Sequence, residues 1–197
     1  FVPMRIGVLA LQGDFREHRI SLEKLGADVK EVRLPEHLEG LQGLIIPGGE
    51  STTIGKLMVA YDLLDPIRAF GQNQAIWGTC AGAILLAKEV GRDQPLLSLM
   101  DMEIERNAFG RQIDSFEIEI TVPFLQSPEL PYHLTFIRGP IITRVWGEAQ
   151  TLLSLPDGRA ITARQGKLFA TSFHPELTDD LRFHQYFLEL AKSESTG

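Results

Sequence analysis

Apolar residues along this chain follow two rhythms, and the changes between them lay out the elements. Arg5 to Leu11 (RIGVLAL) is a nearly unbroken apolar run, the pattern of a strand covered on both faces in a parallel sheet. Gln12-Gly13-Asp14 turns it into Phe15 to Leu25, apolar at Phe15, Ile20, Leu22 and Leu25, a helix that Gly26 closes. Asp28 to Arg33 and Gly43 to Ile46 predict a second and a third strand, and Ala75 to Thr79 another that stops at a glycine-flanked turn before a helix over 83–90. Strands alternating with helices indicate βαβ units in a doubly wound, mostly parallel sheet with helices on both faces. In such sheets ligands collect at the carboxyl ends of the strands.

Past residue 90 the texture becomes antiparallel. Met102 to Arg106, Phe116 to Val122 and Leu134 to Arg138 alternate as strands, with a polar stretch over 106–112 and a proline-spaced surface loop from Pro123 to His133. Thr151 to Leu155, Arg159 to Arg164 and Lys167 to Thr171 predict a β-meander added to the sheet, turning at Pro156-Asp157-Gly158 and Gln165-Gly166. Thr178 is the expected cap of a final helix carrying Asp179 and Asp180 in its first turn.

Composition narrows the class of protein. A chain of 197 residues, 44% hydrophobic and 23% charged, suits one domain over 4–192 with a short tail over 193–197. Phe1-Val2-Pro3 precede Met4 and read as an appended remnant. The net charge of -7 excludes a sequence-independent nucleic-acid binder, which needs a basic face. Cys80 is the only cysteine, so no internal disulfide can form, and a reducing, cytoplasmic setting is expected. No apolar run approaches membrane-spanning length and no signal-peptide pattern opens the chain.

The candidate chemistry sits at strand ends. Gly78-Thr79-Cys80-Ala81-Gly82 has the Gly-x-nucleophile-x-Gly form of a strand–turn–helix elbow, with sulfur as the nucleophile. A helix N-terminus beside the sulfur favours thiolate, although a buried structural cysteine is the plainer alternative. Pro47-Gly48-Gly49-Glu50-Ser51 is not a phosphate loop, because Glu50 stands where a Walker glycine belongs and Leu57 follows Lys56. Its backbone N–H groups instead suit a developing oxyanion, and a simple β-to-α turn is the alternative. In His174-Pro175-Glu176 the proline biases His174 towards extended backbone, and residues two apart in extended chain share a face. The carboxylate can then fix one ring nitrogen and leave the other to handle a thiol proton, as in a Cys–His–Glu triad. His18, His37, His133 and His184 lack any such motif or metal-ligand spacing and read as ordinary surface histidines.

These motifs resemble the class I, triad-type glutamine amidotransferases over essentially Arg5 to Ala191, which implies their flavodoxin-like fold. Leu9 to His18, Pro47 to Thr52, Glu105 to Gln112, Phe136-Ile137-Arg138 and Phe173 to Leu177 further resemble the glutaminase subunits of two-component pyridoxal 5'-phosphate synthases. One departure is Gly139, where alanine is expected after the arginine, a change that loosens the backbone. The resemblance implies hydrolysis of L-glutamine to L-glutamate and ammonia, with Cys80 as nucleophile, His174 as base and acid, and Glu176 as its orienter. It also implies an oxyanion hole at Gly49 and Ala81, and glutamine binding by Gly49, Glu50, Ser51, Arg106, Ile137 and Arg138. For Arg106 and Arg138 a solvated-surface reading stays open, and Arg111 is an unassigned candidate. No metal or organic cofactor is implied. The implied partner is a (β/α)8-barrel synthase subunit in a large hetero-oligomer, met through Gln12, Gly13, Glu17 and His18. An amidotransferase subunit of another pathway, a Cys-elbow hydrolase or chaperone-like protein of the same sheet type, and a non-catalytic scaffold are the alternatives.

Overall fold

The computed structural model describes residues 2–106 and 115–193. Most of the polar stretch over 106–112, with Arg111, lies outside the described residues, as does the end of the tail. In chain order the elements are β1 (Arg5–Leu9), α1 (Phe15–Lys24), β2 (Asp28–Val32), β3 (Gly43–Ile46), α2 (Ser51–Ala60) and α3 (Leu64–Phe70). Then come β4 (Ala75–Thr79), α4 (Ala81–Leu86), β5 (Ala87–Glu89), β6 (Met100–Glu105), β7 (Phe116–Ile120) and β8 (Tyr132–Phe136). β9 (Ile141–Val145), β10 (Gln150–Ser154), β11 (Ala160–Gln165), β12 (Leu168–Thr171) and α5 (Arg182–Lys192) complete the chain.

Among the described residues ten strands join one sheet in the order β2-β1-β3-β4-β12-β11-β9-β6-β5, with β10 paired to β11. β2, β1, β3, β4 and β12 are parallel neighbours, whereas β10, β11 and β12 form the antiparallel meander. The last strand of the meander lies beside the elbow strand β4 and joins the meander to the parallel part of the sheet. β7 and β8 pair separately as a hairpin.

The apolar runs partition as a two-faced sheet requires. Leu9, Leu44, Ile46, Ile76 and Ala170 join one core with Ile54, Met58 and Ile67 of α2 and α3 and with Ile84 and Leu85 of α4. Their strand neighbours Val8, Ile45, Trp77 and Phe169 join the other, with Leu22 of α1, Phe183 and Phe187 of α5, and Leu134 and Phe136 of β8. Alternate residues of the same strand thus feed opposite cores. No helix among the described residues is long and apolar enough to cross a membrane.

Three boundaries differ from the sequence reading. The helix expected over 83–90 starts directly after Cys80 and ends at Leu86, because the Leu85 and Leu86 carbonyls accept the Leu97 and Leu99 N–H groups. Ala87–Glu89 is freed to pair as a strand with β6. The last helix begins at Arg182 rather than at Thr178, since Pro175–Leu177 forms a 3-10 turn and the Asp180 carboxylate accepts the Arg182 N–H at 3.1 Å. β9, hidden behind Pro140, was not anticipated. The proline-spaced surface loop over 123–133 is held at its base, with the Arg182 guanidinium donating to the carbonyls of Gln126, Ser127, Leu130 and Pro131.

Two close approaches require the absence of a side chain. A Cβ on Gly82 would lie 2.0 Å from the Ile46 carbonyl oxygen, and one on Gly78 would lie 2.4 Å from the Gly82 carbonyl. Gly139 is likewise packed rather than loose, with the Ser172 carbonyl 2.2 Å from where its Cβ would be. Gly82→Ala is expected to lower unfolding free energy by at least about 3 kcal/mol, the upper end for overpacking, because the obstacle is backbone. The urea midpoint reads this directly, and an unchanged midpoint would contradict the close approach.

Candidate active site

β4 delivers Cys80 into a conformation that side chains rarely take, with φ 52° and ψ −102°. The turn is held because the Cys80 N–H donates to the Thr171 carbonyl at 2.8 Å and its own carbonyl accepts the Ile84 N–H. Backbone strain of this kind costs roughly 1–3 kcal/mol and persists only where its surroundings enforce it. Here Thr171 also accepts the Trp77 indole N–H through its side chain at 3.1 Å, so β12 grips the elbow strand twice.

β12 also leads to His174. Its backbone N–H donates to Thr135 of β8 at 3.2 Å, and its carbonyl accepts the Leu177 N–H across the 3-10 turn. This turn, not extended chain, brings Glu176 back, which corrects the expected route to the pair. The outcome is a His174 Nδ1···Glu176 Oε1 contact of 2.6 Å. Nδ1 is the donor to the carboxylate, which leaves Nε2 for Cys80. Burial opposes a charge on His174, but Cys80 and Glu176 outweigh it and push its pKa up to about 10. Burial pushes Glu176 up, against the pull of His174. Its side chain has no solvent exposure.

Gly48 is packed against both His174 and Cys80: its Cβ would lie 3.0 Å from the His174 ring and 3.5 Å from the Cys80 Cβ. The Gly48 carbonyl accepts the Asp14 N–H at 3.0 Å, where β1 meets α1. Asp14 Oδ2 stands 3.8 Å from His174 Nδ1, and burial raises its pKa while His174 lowers it. Asp14, His174 and Glu176 offer ligand atoms within 4.8 Å of one another, a metal-compatible spacing. With Nδ1 held on Glu176 at hydrogen-bond distance, the cluster serves better as a proton relay.

A cavity of about 500 Å³ opens beside the sulfur. Of the residues expected at the site, Gly49, Glu50, Cys80, Ala81, Arg106, Ile137, Arg138 and His174 line it. Glu176 stands behind His174. Ser51 is fully buried instead, and its hydroxyl accepts the Arg106 Nη2 hydrogen bond at 2.7 Å, so it holds the arginine rather than the cavity wall. Arg106 is thus not a free surface cation. Burial and nearby Arg92 lower its pKa, while Glu50 and Cys80 oppose them. Arg138 adopts a left-handed φ of 43° at the rim.

The segment expected to meet a partner divides. The Gln12 side chain turns inward, its Oε1 accepting the Glu50 N–H at 2.8 Å. Gly13 lies beneath the Gly48 carbonyl, 1.9 Å from where its Cβ would be. Glu17 is half-buried. His18 is fully buried, as is His184, so neither is a surface histidine and His18 cannot itself touch a partner in this geometry. Their burial follows from the opposed apolar faces of α1 and α5, against which Trp77 also packs. Arg92 and Asp14 line the cavity and were not singled out from the sequence. For Arg92 no local signal exists, since Gly91-Arg92-Asp93 reads as any polar turn.

The SNO glutamine amidotransferase family matches residues 8–193. The chain is 57% identical over 192 residues to the pyridoxal 5'-phosphate synthase subunit PdxT of Herpetosiphon aurantiacus, covering 95% of this chain and 100% of that one. Against the subunit of the same name from Moorella thermoacetica identity is 54%, over 95% of this chain and 99% of the relative. A crystal structure described as a glutamine amidotransferase superposes with a TM-score of 0.88 at 51% identity, covering 95% of this chain and 99% of that one.

The buried histidines carry a consequence for stability. Burial holds the His184 pKa down at about 3 and that of His18 well below 6.5, so both stay neutral in the folded chain. Unfolded, each binds a proton near pH 6.5, so the stabilisation present above that pH is lost as pH falls towards the folded values. His184→Phe is expected to make the fall of unfolding free energy between about pH 6 and 4 shallower, by up to about 1.4 kcal/mol per pH unit. Chemical denaturation at stepped pH measures the slope, and a slope equal to the parent's would refute the neutral assignment.

Proposed function

From the premise that the chain belongs to the SNO glutamine amidotransferase family, we propose how the residues of its cavity divide the work of glutamine hydrolysis. It is a glutaminase of the PdxT type, supplying ammonia for pyridoxal 5'-phosphate synthesis. In this reading Cys80 attacks the side-chain amide carbon of glutamine. As the sulfur attacks, its proton passes to His174, and the His174 imidazolium gives a proton to the departing nitrogen as the C–N bond breaks. The resulting thioester is hydrolysed by water, which His174 deprotonates, giving glutamate and restoring the thiol. Glu176 holds the ring throughout.

Glutamine is zwitterionic, so the ends of the cavity need opposite charges. Glu50 suits its ammonium, while Arg106 and Arg138 suit its carboxylate, with Arg92 as a further cation in the same wall. N–H groups at Gly49 and Ala81 are the candidate oxyanion donors. The observation that carries the reading is the sharing of one cavity by Cys80 and His174, with the ring fastened from behind at 2.6 Å. A cytoplasmic setting suits a free thiol nucleophile.

The proposed partner is the barrel synthase subunit that consumes the ammonia, docking around Gln12, Gly13 and Glu17. Gly48 gives this docking a lever, because its carbonyl is held by the Asp14 N–H within that segment. Displacing Asp14 frees the Gly48–Gly49 peptide to rotate its N–H towards the oxyanion, and losing one such donor costs about 10²–10³ in rate. The free chain is therefore expected to be nearly idle and to gain roughly that factor when the synthase subunit is added. Equal glutamate release with and without it would remove the lever. With the synthase subunit present, Cys80→Ala is expected to abolish glutamate release while preserving fold and complex formation. Glu176→Gln is expected to cost less than His174→Ala, since orientation is a smaller contribution than proton transfer. Near-parental turnover by Cys80→Ala would sink the nucleophile assignment.

A further inference from the structure

Glu176 uses only one of its oxygens on His174. The other, Oε2, is buried and, among the described residues, has no hydrogen-bond partner at full hydrogen-bonding geometry. His18 Nε2 lies 3.5 Å from it, and both side chains have no solvent exposure. That same nitrogen lies 3.2 Å from the Thr79 hydroxyl, on the residue before Cys80. The opposite ring nitrogen of His18, Nδ1, meets His184 Nε2 at 2.9 Å. The far nitrogen of His184, Nδ1, is buried with no hydrogen-bond partner among the described residues. A line of buried groups thus runs from α5 through α1 to the carboxylate behind His174.

Only one direction of hydrogen bonding through this line is chemically comfortable. If His184 Nε2–H donates to His18 Nδ1, then His18 carries its own proton on Nε2 and directs it at Thr79 and Glu176. The orphan left at His184 Nδ1 is then a lone pair. In the reverse direction that orphan becomes a buried N–H, and the Nε2 lone pair of His18, although the Thr79 hydroxyl can donate to it, faces a carboxylate oxygen away from water. Unpaired buried N–H groups are the rarer and costlier kind, and two facing acceptors repel. A charged His18 would resolve neither problem cheaply, since burial, His184 and His174 all oppose its protonation.

We propose that His18 is a positioning residue for the reaction, a neutral Nε2–H donor, oriented by His184, that holds the second oxygen of Glu176 and so fixes the carboxylate that orients His174. This rests on the assignment of Cys80, His174 and Glu176 made above and extends it to α1. The 3.5 Å spacing leaves the contact longer than a full hydrogen bond, so a slight inward shift of α1 tightens it. α1 itself carries Glu17 of the segment proposed to meet the synthase subunit.

The test has two arms. In the unsubstituted chain with ¹⁵N-labelled histidine, long-range ¹H–¹⁵N correlation spectra are expected to place the His18 proton on Nε2, with the ring neutral from pH 6 to 8. A proton on Nδ1, or a charged ring, overturns the proposal whatever the variants do. In glutaminase assays with the synthase subunit, His18→Phe is expected to lower kcat by about tenfold, the scale of one hydrogen bond, with KM unchanged. The acid limb of its pH–rate profile moves upward as Glu176 loses a stabilising donor. His18→Gln, whose amide can donate from a similar place, restores most of the rate. In a Glu176→Gln background His18→Phe has no further effect, because the two residues act as one unit. Additive losses in that double variant, or a parental pH profile in His18→Phe, would assign His18 to packing alone. Cys80→Ala, assayed alongside, reports separately on the triad: turnover there would discredit the underlying reading, whereas the proton position on His18 is read independently of it.

Discussion

A carboxylate with no access to water is the constraint around which the active region is arranged. Glu176 is isolated from solvent on every side, and a charge in that position is costly unless hydrogen-bonded partners surround it. His174 satisfies one oxygen at 2.6 Å and His18 faces the other. The requirement propagates outward. Burying the carboxylate demands the 3-10 turn at Pro175–Leu177, the placement of α1 over that turn, and a carboxyl end of the sheet tight enough to exclude water. Removing either partner from such a buried pair typically costs about 3–5 kcal/mol, so the ring is fixed by stability as well as by chemistry.

The carboxyl end of the sheet achieves its tightness by omitting side chains where backbones meet. Gly82 lets the elbow lie against Ile46, Gly13 lies against Gly48, and Gly139 lies against Ser172. Each contact joins a different pair of segments at the carboxyl end of the sheet, so Cys80, the Gly48–Gly49 turn and His174 converge on one cavity. The positive φ of Cys80 and of Arg138 is the local strain that this convergence imposes, and the two apolar cores on either face supply the rigidity to sustain it.

Charge is distributed on a finer scale than the net value of -7 conveys. Arg106, Arg138 and Arg92 face the same cavity as Glu50 and Asp14, so an acidic protein presents a site with both signs. Arg106 is steadied by a buried serine and Glu50 by the Gln12 side chain through its backbone N–H. Such a wall matches a ligand carrying both an ammonium and a carboxylate better than a simple anion or cation.

Local pattern alone determined the parallel strands, the elbow and the candidate triad. Continuous apolar runs such as Gly43–Ile46 can only be strands covered on both faces, and Gly78-Thr79-Cys80-Ala81-Gly82 states its own turn, since every needed glycine lies within two residues of the sulfur. The pairing of His174 with Glu176 was legible because they are neighbours, although the turn joining them was misjudged. What local pattern could not carry were effects whose partners are distant in sequence. The early end of α4 depends on Leu97 and Leu99, the pinning of 123–133 on Arg182, and the cavity position of Arg92 on the packing of its loop. The buried histidines are the clearest case: His18 and His184 are 166 positions apart, and each alone looks like any polar residue on a helix. Only when α1 and α5 pack on the same face of the sheet do they leave water, lose their charge and line up behind Glu176, because burial is a property of the assembled cores and not of any stretch of chain.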